Sequence, residues 1–523
     1  MNATNPRSAR EGAPIRVGLG RGPDHYKHLR APWHPQENYP ELAFRIAEGA
    51  SEERNTAFAA VRDALIGLGL DPENVGSPEW NPIRSLIREG GTVVLKPNFI
   101  RHWNPASEED SGASVDSVIT HGSIVRAAAE YAFLAVGPDG RVVIAEAAQQ
   151  DCDFDQIREM TGLDSIQAYF RERHDFELEV VDLRREQVTF EDGIITSRKT
   201  LPGDPLGYRA VDLGEKSFFT DSGLDPNLFR GADYDPGPTS EHHSNGRNAY
   251  LLSETVLTAD LIINLPKLKT HKKTGVTLAL KNMVGINGDK NWLPHHSAGA
   301  VDQGGDEFPG RAPVDRMRSW LVEMSRGLLK TGRATGLARL YRRVETSVRG
   351  DDFIRSGNWY GNQTTWRMCA DLNRCVYFSD SQTLNREASE TQRCVLTILD
   401  GLVAGEGNGP LAPRDVPLGV VLASVDPIAL DLAAIRLMNF DPERIPKVRE
   451  FMRAGFLRVS EVRNPSDVEI GEPKEQGGSC EVYALDDLSS EFTFVPHPGW
   501  VGHIEMSKAS VTSQIQTSKE ESA

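Results

Sequence analysis

The chain has 523 residues, of which 39% are hydrophobic and 25% charged, a soluble globular composition too long for one ordinary core. Its formal net charge of −17 speaks against a protein that coats nucleic acid, because such binding needs a basic surface to neutralise phosphates. The five cysteines form no C-x-x-C pair and no four-cysteine spacing, so no iron–sulfur cluster, structural zinc or disulfide framework is expected.

In chain order, residues 1–13 are polar and read as a disordered tail without the apolar core of a secretory signal. No apolar run reaches the roughly 18 residues of a transmembrane helix, which sets the cytoplasm as the expected location. The glycine cluster GLGRG (18–22) stands alone and carries no nucleotide-binding expectation. From there, runs rich in Val, Ile and Leu predict strands at 92–97 (TVVLKP), 141–147 (RVVIAEA), 259–266 (ADLIINLP), 394–400 (CVLTILD) and 418–426 (LGVVLASVD). Near-continuous apolar runs of that length fit strands buried on both faces of a parallel sheet. Helical patterns at 121–136 and 425–440 follow two of them, the second with Asp426 as N-cap and Pro427 as first helical residue. The expected fold is α/β, with a largely parallel sheet flanked by helices. It divides into a first α/β part (14–297), a basic helical insertion (298–355), a second α/β part (356–460), a C-terminal extension (461–506) and a disordered tail (507–523).

The stretch LIINLPKLKTHKKTGVTLALKNMVG (261–285) holds Lys267, Lys269, His271, Lys272, Lys273 and Lys281 and no carboxylate. Surface lysines normally alternate with acids, so a run without them is expected to bind an anion such as a carboxylate or phosphate. A strand continued through Lys267 puts Lys267, Lys269, His271 and Lys273 on one face. A helix capped by Thr274 and ended by Gly285 would add its free N–H groups. Other strand ends offer Lys96, Asn98, Glu146, Asp400 and Asp426, and ligands in open α/β sheets bind beyond such ends. Glu406 lies among the glycines of GLVAGEGNGP (401–410). The catalytic set is Lys96, His271, Asp400 and Asp426, with His271 or Lys96 shuttling the proton and Asp400, Glu406, Asp426 or Asp431 tuning or pairing them. Anion and substrate binding are assigned to Asn98, Lys267, Lys269, Lys281, Asn282 and Glu406. The histidine doublets His242–His243 and His295–His296 are no metal motif, and a metal assembled from distant residues is left open.

Between Arg311 and Arg349 nine arginines and one lysine face Asp315, Glu323 and Glu345, with Trp320, Leu328, Leu340 and other apolar residues interleaved at helical spacing. Packing against the acidic body is the expectation, with peripheral docking on a membrane or protein partner as the alternative.

NLPKLKTH (264–271), ALKNMVG (279–285), LKPNFI (95–100) and ILDGLVAGEGNGP (398–410) with ASVDPIALDLAAIRLMNFDPERIP (423–446) together resemble domain-of-unknown-function family 362, over roughly residues 90–450. The resemblance implies no particular reaction. Some members carry a four-cysteine ferredoxin-type domain, whose motif this chain lacks. A more distant architectural similarity is to lactate-racemase-like proteins, in which a nickel pincer cofactor is joined to lysine and histidines serve as acid and base. The residues leave two classes open: an enzyme acting by proton or group transfer on a small anionic or sugar-derived substrate, and a binding or assembly protein docked through 311–349.

Overall fold

The computed structural model describes residues 14–42, 55–310, 356–379, 391–474 and 480–506, except positions 28, 109, 111, 192 and 193, together with positions 317, 320, 323, 324 and 384. Twelve strands join one sheet: β1 (Ile15–Arg21), β2 (Thr92–Pro97), β3 (Arg141–Glu146), β4 (Glu179–Asp182), β5 (Leu261–Leu265), β6 (Lys267–His271), β7 (Gly275–Val276), β8 (Cys394–Asn408), β9 (Ala412–Val416), β10 (Val420–Ser424), β11 (Val468–Pro473) and β12 (Cys480–Ala484). Their order across the sheet is β12-β11-β1-β10-β8-β5-β2-β3-β4, with β6, β7 and β9 attached beside β8. The five strands from β8 to β4 run parallel. Strand β10 is antiparallel to both its neighbours, and β12 closes the other edge antiparallel. The sheet is therefore mixed but mostly parallel, an α/β core. It draws strands from both α/β parts and from the 461–506 extension, so these stretches build one sheet.

The apolar runs work through the two-residue period of a strand. Val94, Val143 and Ile262 face one core cluster, while Val93, Leu95, Val142, Ile144, Leu261 and Ile263 face the other. Helices α1 (Thr56–Leu68) and α2 (Gly122–Val136) cover the second cluster. The short α3 (Leu278–Asn282), α4 (Thr365–Phe378), α5 (Pro427–Leu437) and α6 (Pro446–Arg453) belong to the first. Gly18 and Gly20 serve this layering, because a Cβ at either would lie 1.9 or 2.0 Å from the Ala64 or Ala60 carbonyl of α1.

Strand β6 prolongs β5 beyond Pro266 and moves its pairing onto the second half of the 15-residue β8. The register slips between the Lys267–Asp400 and Lys269–Gly405 pairs. The helix expected from Thr274 is shorter. Residues 275–276 are strand, Leu278 sits at φ 52°, and α3 begins only there. Its N-terminus is not free for a ligand either, since Ala279 N donates to the buried Asp431 carboxylate at 2.7 Å.

Of the expected insertion, 298–310 with Met317, Trp320, Glu323 and Met324 fall within the described residues, and Leu328 and Leu340 lie outside them. Trp320 is 62% exposed, which overturns its expected burial, while Glu323 closes an ion pair with Arg230 at 2.7 Å.

Candidate functional site

The ends of β2 and β3, strand β6, α3 and the turn after it contribute to the lining of a cavity of about 370 Å³. The lining carries Lys269, His271, Lys281, Lys290 and His295 and, among its apolar residues, Ile100, Phe190, Val284 and Leu411. The carboxylate in the lining is Glu146, and it is already engaged: Oε2 accepts from Lys96 Nζ at 2.7 Å and from Phe99 N at 3.1 Å. Gly285 lies against this pair, and a Cβ there would come within 1.8 Å of Glu146 Oε1. That close approach, rather than a helix stop, is what the position requires, because the chain passes from α3 into a short 3₁₀ turn over Met283–Ile286.

An amide ladder sets the lysines. Lys269 Nζ donates to Asn98 Oδ1 at 3.1 Å and to the Val118 carbonyl. Asn98 Nδ2 donates to Asn282 Oδ1 at 2.7 Å, and Asn282 Nδ2 donates to Asn264 Oδ1 at 2.8 Å and to the Lys96 carbonyl at 3.1 Å. Asn98 and Asn282 thus line the cavity but direct these hydrogen bonds to the strand ends, a positioning role in place of the expected grip on substrate. Lys290 Nζ donates to the Ala147 carbonyl at 2.7 Å. Lys281 is buried and faces the cavity, and it meets no hydrogen-bond acceptor or ion-pair partner among the described residues.

Burial lowers the lysine pKa values. For Lys269 the neighbouring Lys267 and Lys281 lower it further, to well below the ordinary range, and Lys290 is brought to about 7 mainly by desolvation. Burial, then the Lys281 charge, holds His271 well below 6.5 and His295 at about 3, so both imidazoles are neutral. Their tautomers differ. His271 Nδ1 accepts from the N–H groups of Lys273 and Thr274 at 3.1 and 3.2 Å, which puts its proton on Nε2. His295 Nδ1 lies 2.9 Å from the Leu293 carbonyl, which can only accept, so its proton is on Nδ1 and its lone pair on Nε2.

The remaining residues singled out from sequence stand elsewhere. Lys267 points away from the cavity into an enclosed ion pair with Asp400 at 2.8 Å, and Asp400 also accepts from Tyr26 Oη at 2.5 Å and His121 N at 3.0 Å. Lys96 lies beneath the cavity, held by Glu146. Asp426 caps α5 through Ile428 N and Ala429 N at 2.9 and 3.0 Å. Asp431 pairs with Lys447 at 3.5 Å and caps α3. Glu406 accepts from Val495 N at 2.8 Å, outside the cavity. The sequence reading missed Lys290 and gave His295 no role; both follow the charged stretch within ten residues, in GDKNWLPHH (288–296), where the doublet was weighed only as a metal motif. Among the described residues no three His, Cys, Asp or Glu side chains are grouped as a metal would need.

The model of a family described as "Domain of unknown function (DUF362)" matches residues 208–436. This segment of the chain is similar to that family. The match takes in β5 to β10 with Lys267, Lys269, His271, Lys281, Lys290 and His295, whereas Lys96, Asn98 and Glu146 come from β2 and β3, ahead of it. The span is narrower than the 90–450 read from the motifs. The thylakoid-associated protein sll1697 of Synechocystis sp. is 25% identical over 250 residues, which cover 47% of this chain and 49% of that protein, so the chain spans about half the length of this relative. A crystal structure of a Thermotoga maritima protein aligns with 72% of this chain and 57% of its own, at 8% identity and a TM-score of 0.30. Among the described residues no helix is long and apolar enough to cross a membrane.

Proposed function

We propose that the cavity binds a small organic anion, a carboxylate or a phosphate ester, and transfers a proton on it. The observation that carries this reading is Lys281, a buried cation turned toward a cavity whose carboxylate, Glu146, is already taken by Lys96. An uncompensated buried charge is unfavourable unless something pairs with it, and an anionic ligand does so. The apolar lining residues Ile100, Val284 and Leu411 suit the ligand's carbon skeleton. The two imidazoles divide the chemistry: the His295 Nε2 lone pair takes a proton, and the His271 Nε2–H donates one. Burial first and the lysine charges second hold their pKa values low, and a bound anion offsets the second of these causes and so raises both.

The test is thermal unfolding with a panel of carboxylates and phosphate esters, comparing the wild type with Lys281→Met. Ligand that binds only the folded state raises the midpoint, so the wild type shifts and the variant does not. Members of the panel that bind are then incubated in D₂O, where wild type exchanges a carbon-bound hydrogen and His295→Gln does not. Equal shifts in wild type and Lys281→Met overturn the anion reading; binding without exchange removes the proton transfer and leaves a binding protein.

A second reading, peripheral membrane association, is favoured by the exposure of Met317, Trp320 and Met324 and by the thylakoid association of the similar cyanobacterial protein. Flotation with anionic liposomes at low salt tests it, and loss of binding in Trp320→Ser is the expected outcome.

A further inference from the structure

Next to the cationic cavity lies a second one of about 420 Å³, and the two share Gln150 and Lys290 in their walls. Their electrostatics differ. In the second cavity the arginines are matched: Arg198 bridges Glu186 and Asp233, each at 2.7 Å, Arg184 is held by Asp182 at 2.7 Å, and Arg185 faces Asp289 at 3.7 Å, which leaves the shared Lys290 as the cation without a carboxylate. A wall of paired charges has no net demand for an anion. It offers donors and acceptors side by side, which is what a hydroxyl group, itself both donor and acceptor, can satisfy.

Gln150 supplies the second observation. Its side chain is 8% exposed, stands in the wall of both cavities and makes no hydrogen bond to any described residue. An amide enclosed by the fold and open only toward the cavities has its hydrogen bonds to give and take there. Lys290 gives one hydrogen bond to the Ala147 carbonyl, and an ammonium has two more to give.

Resting on the anion-binding reading above, we propose that the ligand is bipartite, a sugar phosphate or sugar acid. Its anionic group lies among Lys269, Lys281 and Lys290, its polyhydroxyl body occupies the second cavity, and Gln150 bridges the junction by donating to and accepting from ring hydroxyls.

Titration calorimetry with the full chain tests the proposal, using ethyl phosphate as the anion without a body, a panel of pentose phosphates, hexose phosphates and uronic acids, and free glucose as the body without an anion. At least one sugar phosphate or sugar acid should bind about tenfold or more tighter than ethyl phosphate, as one or two well-made hydrogen bonds provide. Gln150→Met should reduce that advantage to within about threefold while leaving ethyl phosphate affinity unchanged, and Thr200→Val, at the exposed rim of the second cavity, should lower it partly. The urea midpoints of both variants identify any folding defect, and the rim variant carries the test if Gln150→Met does not fold. Ethyl phosphate binding with no sugar derivative bound better overturns the bipartite ligand and leaves the anion site standing. Failure of every anion to bind overturns both.

Discussion

Lys267 and Lys269 leave the same short strand two residues apart and end in opposite circumstances. Lys267 is sealed by Asp400, with Tyr26 and His121 completing the enclosure, so its charge is answered inside the protein. Lys269 is held by an amide and a carbonyl, both neutral, and shares its cavity with Lys281, which has no partner among the described residues. On the anion-binding reading proposed above, the difference separates structural lysines from ligand-binding ones. A buried cation with its own carboxylate ties strands together, whereas a set of buried cations exceeding the carboxylates available is arranged for a charge that arrives from outside.

The contrast is most easily broken from the sealed side. Asp400→Ala leaves Lys267 as a lone buried charge and frees three further donors, Tyr26 Oη and the N–H groups of His121 and Leu402, and should lower stability by about 3–5 kcal/mol in urea unfolding. A loss below about 1 kcal/mol would show that water reaches Lys267 and that the two lysines are alike. Gly285→Ala is next. Its Cβ would meet the Lys96–Glu146 pair beneath the cavity floor, a crowding that costs about 1–3 kcal/mol, and it should weaken anion binding too because the displaced Glu146 lines the site.

A pH measurement sharpens the comparison further. Lys290 titrates at about 7 in the folded protein, against about 10.4 in an unfolded chain. Between those values the unfolded state holds a proton that the folded state has released, so the contribution of this group to ligand-free stability rises with pH from about 7 toward 10 and is flat below 7. Lys290→Met should remove that rise in chemical unfolding at pH 7 to 10, and an unchanged slope would place the titration elsewhere. Anion affinity runs the other way, weakening as pH climbs through about 7 and Lys290 loses its charge. The smallest effect is on stability in Lys281→Met. Removing a buried cation that has no partner among the described residues should leave the urea midpoint unchanged or slightly raised, by up to about 1 kcal/mol, because nothing is orphaned. A marked destabilisation would mean that Lys281, like Lys267, is structural.

Much of the fold was legible because its signals are local. The runs at 92–97, 141–147 and 259–266 are apolar at successive positions, and strands at 92–97, 141–146 and 261–265 occupy them with both faces covered. Asp426 and Pro427 marked the start of α5 because capping is a property of adjacent residues. The helix read from Thr274 failed for a non-local reason: Asp431 on α5 fixes Ala279 N, and the chain turns through a positive φ at Leu278, where α3 starts. The cavity was legible in part. Lys269, His271 and Lys281 stood out because no acid accompanies them along the chain, but Lys267 carried the same signal and its acid lies 133 residues away in sequence, on a neighbouring strand.

Periodicity, caps and charge runs are written in neighbouring residues, so the α/β core, the lysine- and histidine-rich stretch at the end of a buried strand and its likeness to the matched family could be read from the chain alone. Only the tertiary structure decided which cations keep a carboxylate. The register of β6 against β8 gives Asp400 to Lys267, and the approach of β3 to β2 gives Glu146 to Lys96. Lys281 is left over because ion pairing depends on distance in space, which strand order sets and separation along the chain does not.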